Sequence, residues 1–76
     1  MRNEIICILR EIKPGVDYDS AINLIKDGIL TSLKIFSLVS ALENEFDIEI
    51  GADLLLPENF ETVDAIESLV ESLSEE

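Results

Sequence analysis

No histidine and no tryptophan occur in the 76 residues, and cysteine occurs once. The missing imidazole removes the side chain that most proton-transfer and nucleophile-activating arrangements use near neutral pH. The single cysteine, Cys7, excludes an internal disulfide, so nothing covalent staples the fold. A catalytic thiol there would need an activating neighbour, and the chain supplies no histidine for it. There is no glycine-rich phosphate cradle and no metal-ligand spacing. Asp17-Tyr18-Asp19 and the trio Asp47, Glu49 and Asp53 lack the mid-loop glycine and terminal glutamate of a calcium loop. No apolar run approaches the roughly 20 residues that cross a bilayer, and the N-terminal stretch lacks a charged–apolar–small leader pattern. These absences argue against an enzyme, a metal site and membrane insertion. A reducing, cytoplasmic setting is the expectation.

Positive charge is scarce as well. Five basic residues face 17 acidic ones, for a net charge of −12, and no Lys or Arg follows Lys34. Such a field repels nucleic acid phosphates and anionic lipid, and it speeds encounter with basic partners. The same charge also serves solubility alone.

What is present reads as one all-α domain spanning residues 1–76. A chain of this length buries only about 60% of its unfolded surface. Arg2 to Ile12 forms a first helix, with Ile5, Ile8, Leu9 and Ile12 on one face, Ile6 on its flank and Cys7 roughly opposite Ile5. Pro14-Gly15 stops it. Val16 to Leu30 is a long connection. Asp17, Asp19 and Ser20 are its turn formers, and Ile22, Leu24, Ile25, Ile29 and Leu30 are too apolar for a free loop.

A second helix runs from about Ser32 to Phe46. Thr31 is its expected N-cap, and Leu33, Phe36, Val39, Leu42 and Phe46 recur at three- and four-residue steps as its apolar stripe. Ile35 and Leu38 widen that face. Asp47 to Ile50 is an extended connector that buries Ile48 and Ile50. Pro57 suits the first turn of a short third helix. Thr62 caps a last helix that buries Val63, Ile66, Leu69, Val70 and Leu73. The architecture predicted is a small four-helix bundle with three longer helices and one short third helix.

Ser32 then falls at the first turn of the longest helix, at the end of a loop. Its hydroxyl should face solvent beside the partial positive charge of a helix N-terminus. Serine is common at such positions for capping alone.

The stretch Thr31-Ser32-Leu33, continued by Val39, Ala41-Leu42-Glu43, Glu45-Phe46, Ile48 and Ile50, resembles the attachment region of acyl carrier proteins. Peptidyl and D-alanyl carriers are included in that likeness. Pro57-Glu58-Asn59-Phe60-Glu61-Thr62 with Ala65-Ile66 resembles the third helix and fourth-helix entry of peptidyl-type carriers. The resemblance covers nearly the whole chain. It implies an acyl-carrier-like four-helix bundle whose long loop delivers the serine. It implies a 4'-phosphopantetheine arm, covalent and taken from coenzyme A, on the oxygen of Ser32, with an acyl or aminoacyl thioester on the arm. It also implies a phosphopantetheinyl transferase, a loading ligase and a downstream synthase or transferase as partners of a monomer. Thr31, Leu33, Ile35, Glu43, Glu45 and Asp47 are the candidate partner-binding residues, with basic patches facing the acids. Phe36, Leu42, Ile48 and Ala65 are candidates to border an acyl cavity.

Two departures shape the expectation. Thr31 stands where the family often has Asp. Lys34, Ser37, Ser40 and Asn44 stand where fatty-acid-synthesis carriers often show other residues. A specialised pathway is therefore expected rather than general fatty-acid synthesis. Two other readings stay open. One is an unmodified interaction module that docks a basic partner through Glu43, Glu45 and Asp47. The other is a bundle that binds lipid without covalent attachment.

Overall fold

Local start and stop signals set the helix ends. In the computed structural model, which describes residues 2–18 and 23–74, the first helix α1 (Arg2–Ile12) ends just before Pro14-Gly15. Gly15 takes a positive φ of 83°, a conformation open to glycine at little cost. The second helix α2 (Ser32–Phe46) starts after Thr31 and ends at Asp47. Asp47 is left-handed, with φ 53° and ψ 50°, and its N–H donates to the Glu43 carbonyl. Asp is one of the few non-glycine residues that tolerate this cap geometry. A 3-10 turn over Ala52–Leu54 precedes α3 (Pro57–Phe60), with Pro57 at the position where a missing N–H costs nothing. The last helix, α4 (Val63–Ser74), follows Thr62, whose Oγ1 accepts from the Ala65 N–H at 3.0 Å.

α1 packs against α2 and α4, α2 also meets α4, and the short α3 lies on α4. Ile5, Ile6, Ile8 and Leu9 of α1 meet Leu38, Val39 and Leu42 of α2 and Val63, Ile66, Leu69 and Val70 of α4 in one core. Phe60 closes it from α3. Arg2 pairs with Asp64 and Glu67 across the α1–α4 seam; these solvent-facing pairs orient the helices more than they stabilise them.

The long connection carries structure of its own. Asn23 Oδ1 accepts from the N–H groups of Ile25 and Lys26, forming a side-chain turn. The Leu24 N–H donates to the Glu61 carbonyl at 2.7 Å and the Leu30 N–H to the Leu24 carbonyl at 2.8 Å. Leu24, Ile29 and Leu30 are buried and Ile25 is half-buried, as their apolarity predicts. The expected turn formers Asp19 and Ser20, and the expected core residue Ile22, lie outside the described residues.

Tyr18 is the anchor that sequence reading missed. It is 1% exposed, and its hydroxyl donates to the carbonyls of Lys13 (2.7 Å) and Leu9 (3.2 Å). It therefore ties the loop to the last turn of α1, where helix carbonyls lack intrahelical donors.

Burial pushes the Tyr18 phenol above its ordinary value of 10.0, with Arg10 opposing weakly. A group whose folded value is raised stabilises the fold fully below its unfolded value, and that contribution is lost as pH rises through the folded one. Stability should therefore hold up to about pH 10 and fall beyond it. The ultraviolet titration of this single tyrosine should show delayed ionisation. Tyr18→Phe should remove the titration and cost about 1 kcal/mol, read by urea unfolding.

One expectation about α2 is overturned. Leu33 and Phe36 do not belong to its buried stripe: they are 80% and 59% exposed. The side turned to the core is set by Leu38, Val39 and Leu42, with Ile35 and Phe46 half-buried. The reason is geometric. Each three-residue step falls about 60° short of a full turn, so three such steps from Leu33 to Leu42 carry the stripe half-way round the helix.

Candidate functional site

Ser32 is the first residue of the longest helix, and it is exposed. The connection before it is held at both ends, by Tyr18 on α1 and by Leu24 on Glu61, and its final residues Ile29 and Leu30 are buried. The chain thus enters α2 from a fixed point in the core. Thr31 takes an extended conformation, with φ −87° and ψ 172°, and its carbonyl accepts from the Ile35 N–H at 2.9 Å. Its Oγ1 lies 3.5 Å from the Lys34 nitrogen, a long and weak cap. The Ser32 hydroxyl makes no hydrogen bond among the described residues.

The local charge at this point is opposite in sign to the net charge of the chain. α2 has no acidic residue in its first turn, and Lys34, the last cation of the sequence, lies there instead. Free backbone N–H groups and the helix dipole add partial positive charge. An anionic group covalently attached at Ser32 would be favoured by all three.

Leu33 and Phe36 flank the hydroxyl. Phe36 stands one turn beyond Ser32 on the same side of the helix. Among the described residues, the large apolar side chains left exposed are Leu33, Phe36 and Leu56, so two of the three stand in the first five residues of α2.

The other candidate residues divide. Ile35 packs half-buried against the core. Glu43 turns inward: its Oε2 accepts from the Ile50 N–H at 2.8 Å and holds the connector after α2. Asp47 is exposed and serves as the left-handed cap. Glu45 is exposed and faces α1. The three acids Glu43, Glu45 and Asp47 therefore do different things and do not form one patch at Ser32.

The four residues expected to border an acyl cavity sit in different surroundings. Leu42 is fully buried and Phe36 stands in solvent. A cavity of about 520 Å³ lies between α1 and the C-terminal half of α2. Asn3, Glu4, Cys7, Ile8, Glu11, Ala41, Asn44 and Glu45 line it, and none of Phe36, Leu42, Ile48 or Ala65 does. Cys7 is exposed at its wall. α1 contributes to this lining at positions 3, 7 and 11, a four-residue period along one side of the helix.

No helix is long and apolar enough to cross a membrane among the described residues, and no group of three or more His, Cys, Asp or Glu is placed there to hold a metal ion. Searches for similar proteins matched no family model, no curated protein and no solved structure.

Proposed function

We propose that this protein is a carrier whose Ser32 takes a 4'-phosphopantetheine arm from coenzyme A and presents an acyl or aminoacyl thioester to partner enzymes. In the attachment step the Ser32 oxygen bonds to the phosphorus of the pantetheine phosphate. The bond to the adenosine bisphosphate breaks, and the serine proton leaves to a base on the transferase. When bound, the arm supplies a thiol that holds cargo as a thioester. The chain's own residues contribute a rigid mount, an exposed hydroxyl and a surface to read.

One observation carries this reading: an exposed, unbonded serine opens the longest helix with two exposed apolar side chains beside it. A solvent-facing leucine and phenylalanine adjoining on one helix offer an apolar contact surface beside the hydroxyl, which a modifying enzyme and its successors would use. The cation-bearing, acid-free first turn suits a phosphodiester. The resemblance around Thr31-Ser32-Leu33 supplies the identity of the arm. Its departures favour a specialised acyl or aminoacyl pathway in the cytoplasm, with the chain acting as a monomer. Its partners would be a phosphopantetheinyl transferase, a loading ligase and a downstream synthase or transferase.

The rival reading keeps Ser32 bare and docks a basic partner on Glu43, Glu45 and Asp47. The inward bond from Glu43 to Ile50 weakens it as first framed.

The test is incubation of the folded chain with coenzyme A and a broad-specificity transferase, followed by intact mass. One phosphopantetheine per chain is expected. Changing Leu33 and Phe36 together to Ser should slow the addition about tenfold or more, the scale of losing an apolar contact pair at an interface. It should leave the melting temperature nearly unchanged, because both side chains stand in solvent. A large loss of stability with unaltered modification would assign the two residues to the fold instead.

A further inference from the structure

The trough between α1 and α2 lies away from Ser32. Ala41 is nine residues beyond the serine, about 13 Å along the axis of α2. Its walls come from two helices in register. α1 contributes Asn3, Cys7 and Glu11 along one line and Glu4 and Ile8 along the next. α2 contributes Ala41, Asn44 and Glu45. The lining is mixed in a particular way. Ile8, Ala41 and Cys7 give it small and apolar contact surface, while Glu4, Glu11 and Glu45 place carboxylates around that surface.

No Lys or Arg lines the trough. Neither Glu11 nor Glu45 has an ion pair or hydrogen bond among the described residues. The stretch from Asn3 to Glu11 runs about 12 Å, the length of two turns of a second helix laid alongside.

We infer that this trough docks a basic amphipathic helix of a partner protein, at a site separate from the Ser32 surface. An apolar side chain of that helix fills the space over Ile8 and Ala41, and flanking Lys or Arg side chains meet Glu11 and Glu45. Charge complementarity selects the partner: two carboxylates, Glu11 and Glu45, beside an apolar strip match a helix with Leu-type residues on one face and cations at its borders. A simple polyamine would satisfy the acids and leave the apolar strip in water, so the occupant is a peptide helix. The site works whether or not Ser32 carries an arm. It lets a partner stay tethered while a second protein reaches the start of α2.

The test uses the unmodified full chain and its single thiol. The probe is a synthetic helical peptide of about 11 residues, three turns, with Leu at helical spacing and Lys on the borders. A control peptide has the same composition in scrambled order. Cys7 sits in the trough wall, so alkylation by N-ethylmaleimide reports occupancy directly. Saturating patterned peptide should slow alkylation about tenfold, the effect of about 90% occupancy when the docked state is closed to reagent. The scrambled peptide should protect far less, and added salt should weaken protection.

Glu11→Lys combined with Glu45→Lys should abolish protection, and the milder Glu11→Gln with Glu45→Gln should weaken it, both with unchanged helical circular dichroism. Full-rate alkylation in the presence of patterned peptide would overturn the proposal. So would equal protection by the scrambled control, or protection surviving the double Lys variant. None of these readouts depends on Ser32.

Discussion

Phe60→Ala is expected to cost about 3–5 kcal/mol and to leave much of the chain without its native fold at ordinary temperature. A chain of this size has a total stability of only about 4–11 kcal/mol. Phe60 is completely buried and ends α3, a helix of four residues. Such a helix cannot sustain itself, because one turn does not repay its own nucleation. It is held by the Phe60 ring and by the Asn59 Nδ2 bond to the Leu54 carbonyl at 2.8 Å. The Glu61 carbonyl beyond it accepts from Leu24, so losing α3 also loosens the connection that leads to Ser32. Urea unfolding followed by circular dichroism should show the midpoint falling by about a quarter or more. A shift worth less than about 1 kcal/mol would mean that α3 is a flap laid over a core complete without it.

Ser32→Ala should have the opposite profile: complete loss of modification with almost no loss of stability. The hydroxyl makes no hydrogen bond among the described residues and the side chain is exposed, so the change should stay within about 0.5 kcal/mol. The cap at this helix is Thr31, which is untouched. Modification needs the oxygen itself, and alanine has none. Thermal melts and intact masses on the same samples separate the two outcomes. A melt lowered by several degrees would identify Ser32 as part of the helix cap.

The two variants sit at opposite ends of what the sequence made legible. The helix ends were readable because their causes are local. Pro14-Gly15 stops α1, Pro57 opens α3, and Thr62 bonds the Ala65 N–H within three residues. The core stripe of α4 was readable for the same reason, since Val63, Ile66 and Val70 stay on one side over twelve residues. Tyr18 was not readable. It sits between two aspartates in a loop, and its burial depends on carbonyls at the far end of α1. The 3-10 turn at Ala52–Leu54 is too short for any period to register.

The start of α2 gives the clearest lesson. Spacing alone put Leu33 and Phe36 on one apolar face with Leu42, yet the cumulative angle from Leu33 to Leu42 is half a turn. Counting degrees rather than steps separates both from the side of Leu42, in keeping with Leu33 as a candidate partner-binding residue beside the serine. Exposed, they support a docking surface; buried, they would have been ordinary core. Likewise Glu43 looked like a surface acid, and only its contact with the Ile50 amide, seven residues on, reveals that the fold uses it.

On the reading proposed above, Ser32 is the attachment point of a phosphopantetheine arm. The most direct measurement is the intact mass of the wild-type chain after incubation with coenzyme A and transferase, with an established carrier in the same tube and fragmentation to locate the addition. One phosphopantetheine per chain, on Ser32, is the expected result. An unmodified wild type and an unmodified Thr31→Asp variant beside a fully modified control would contradict it, as would an addition at any other residue.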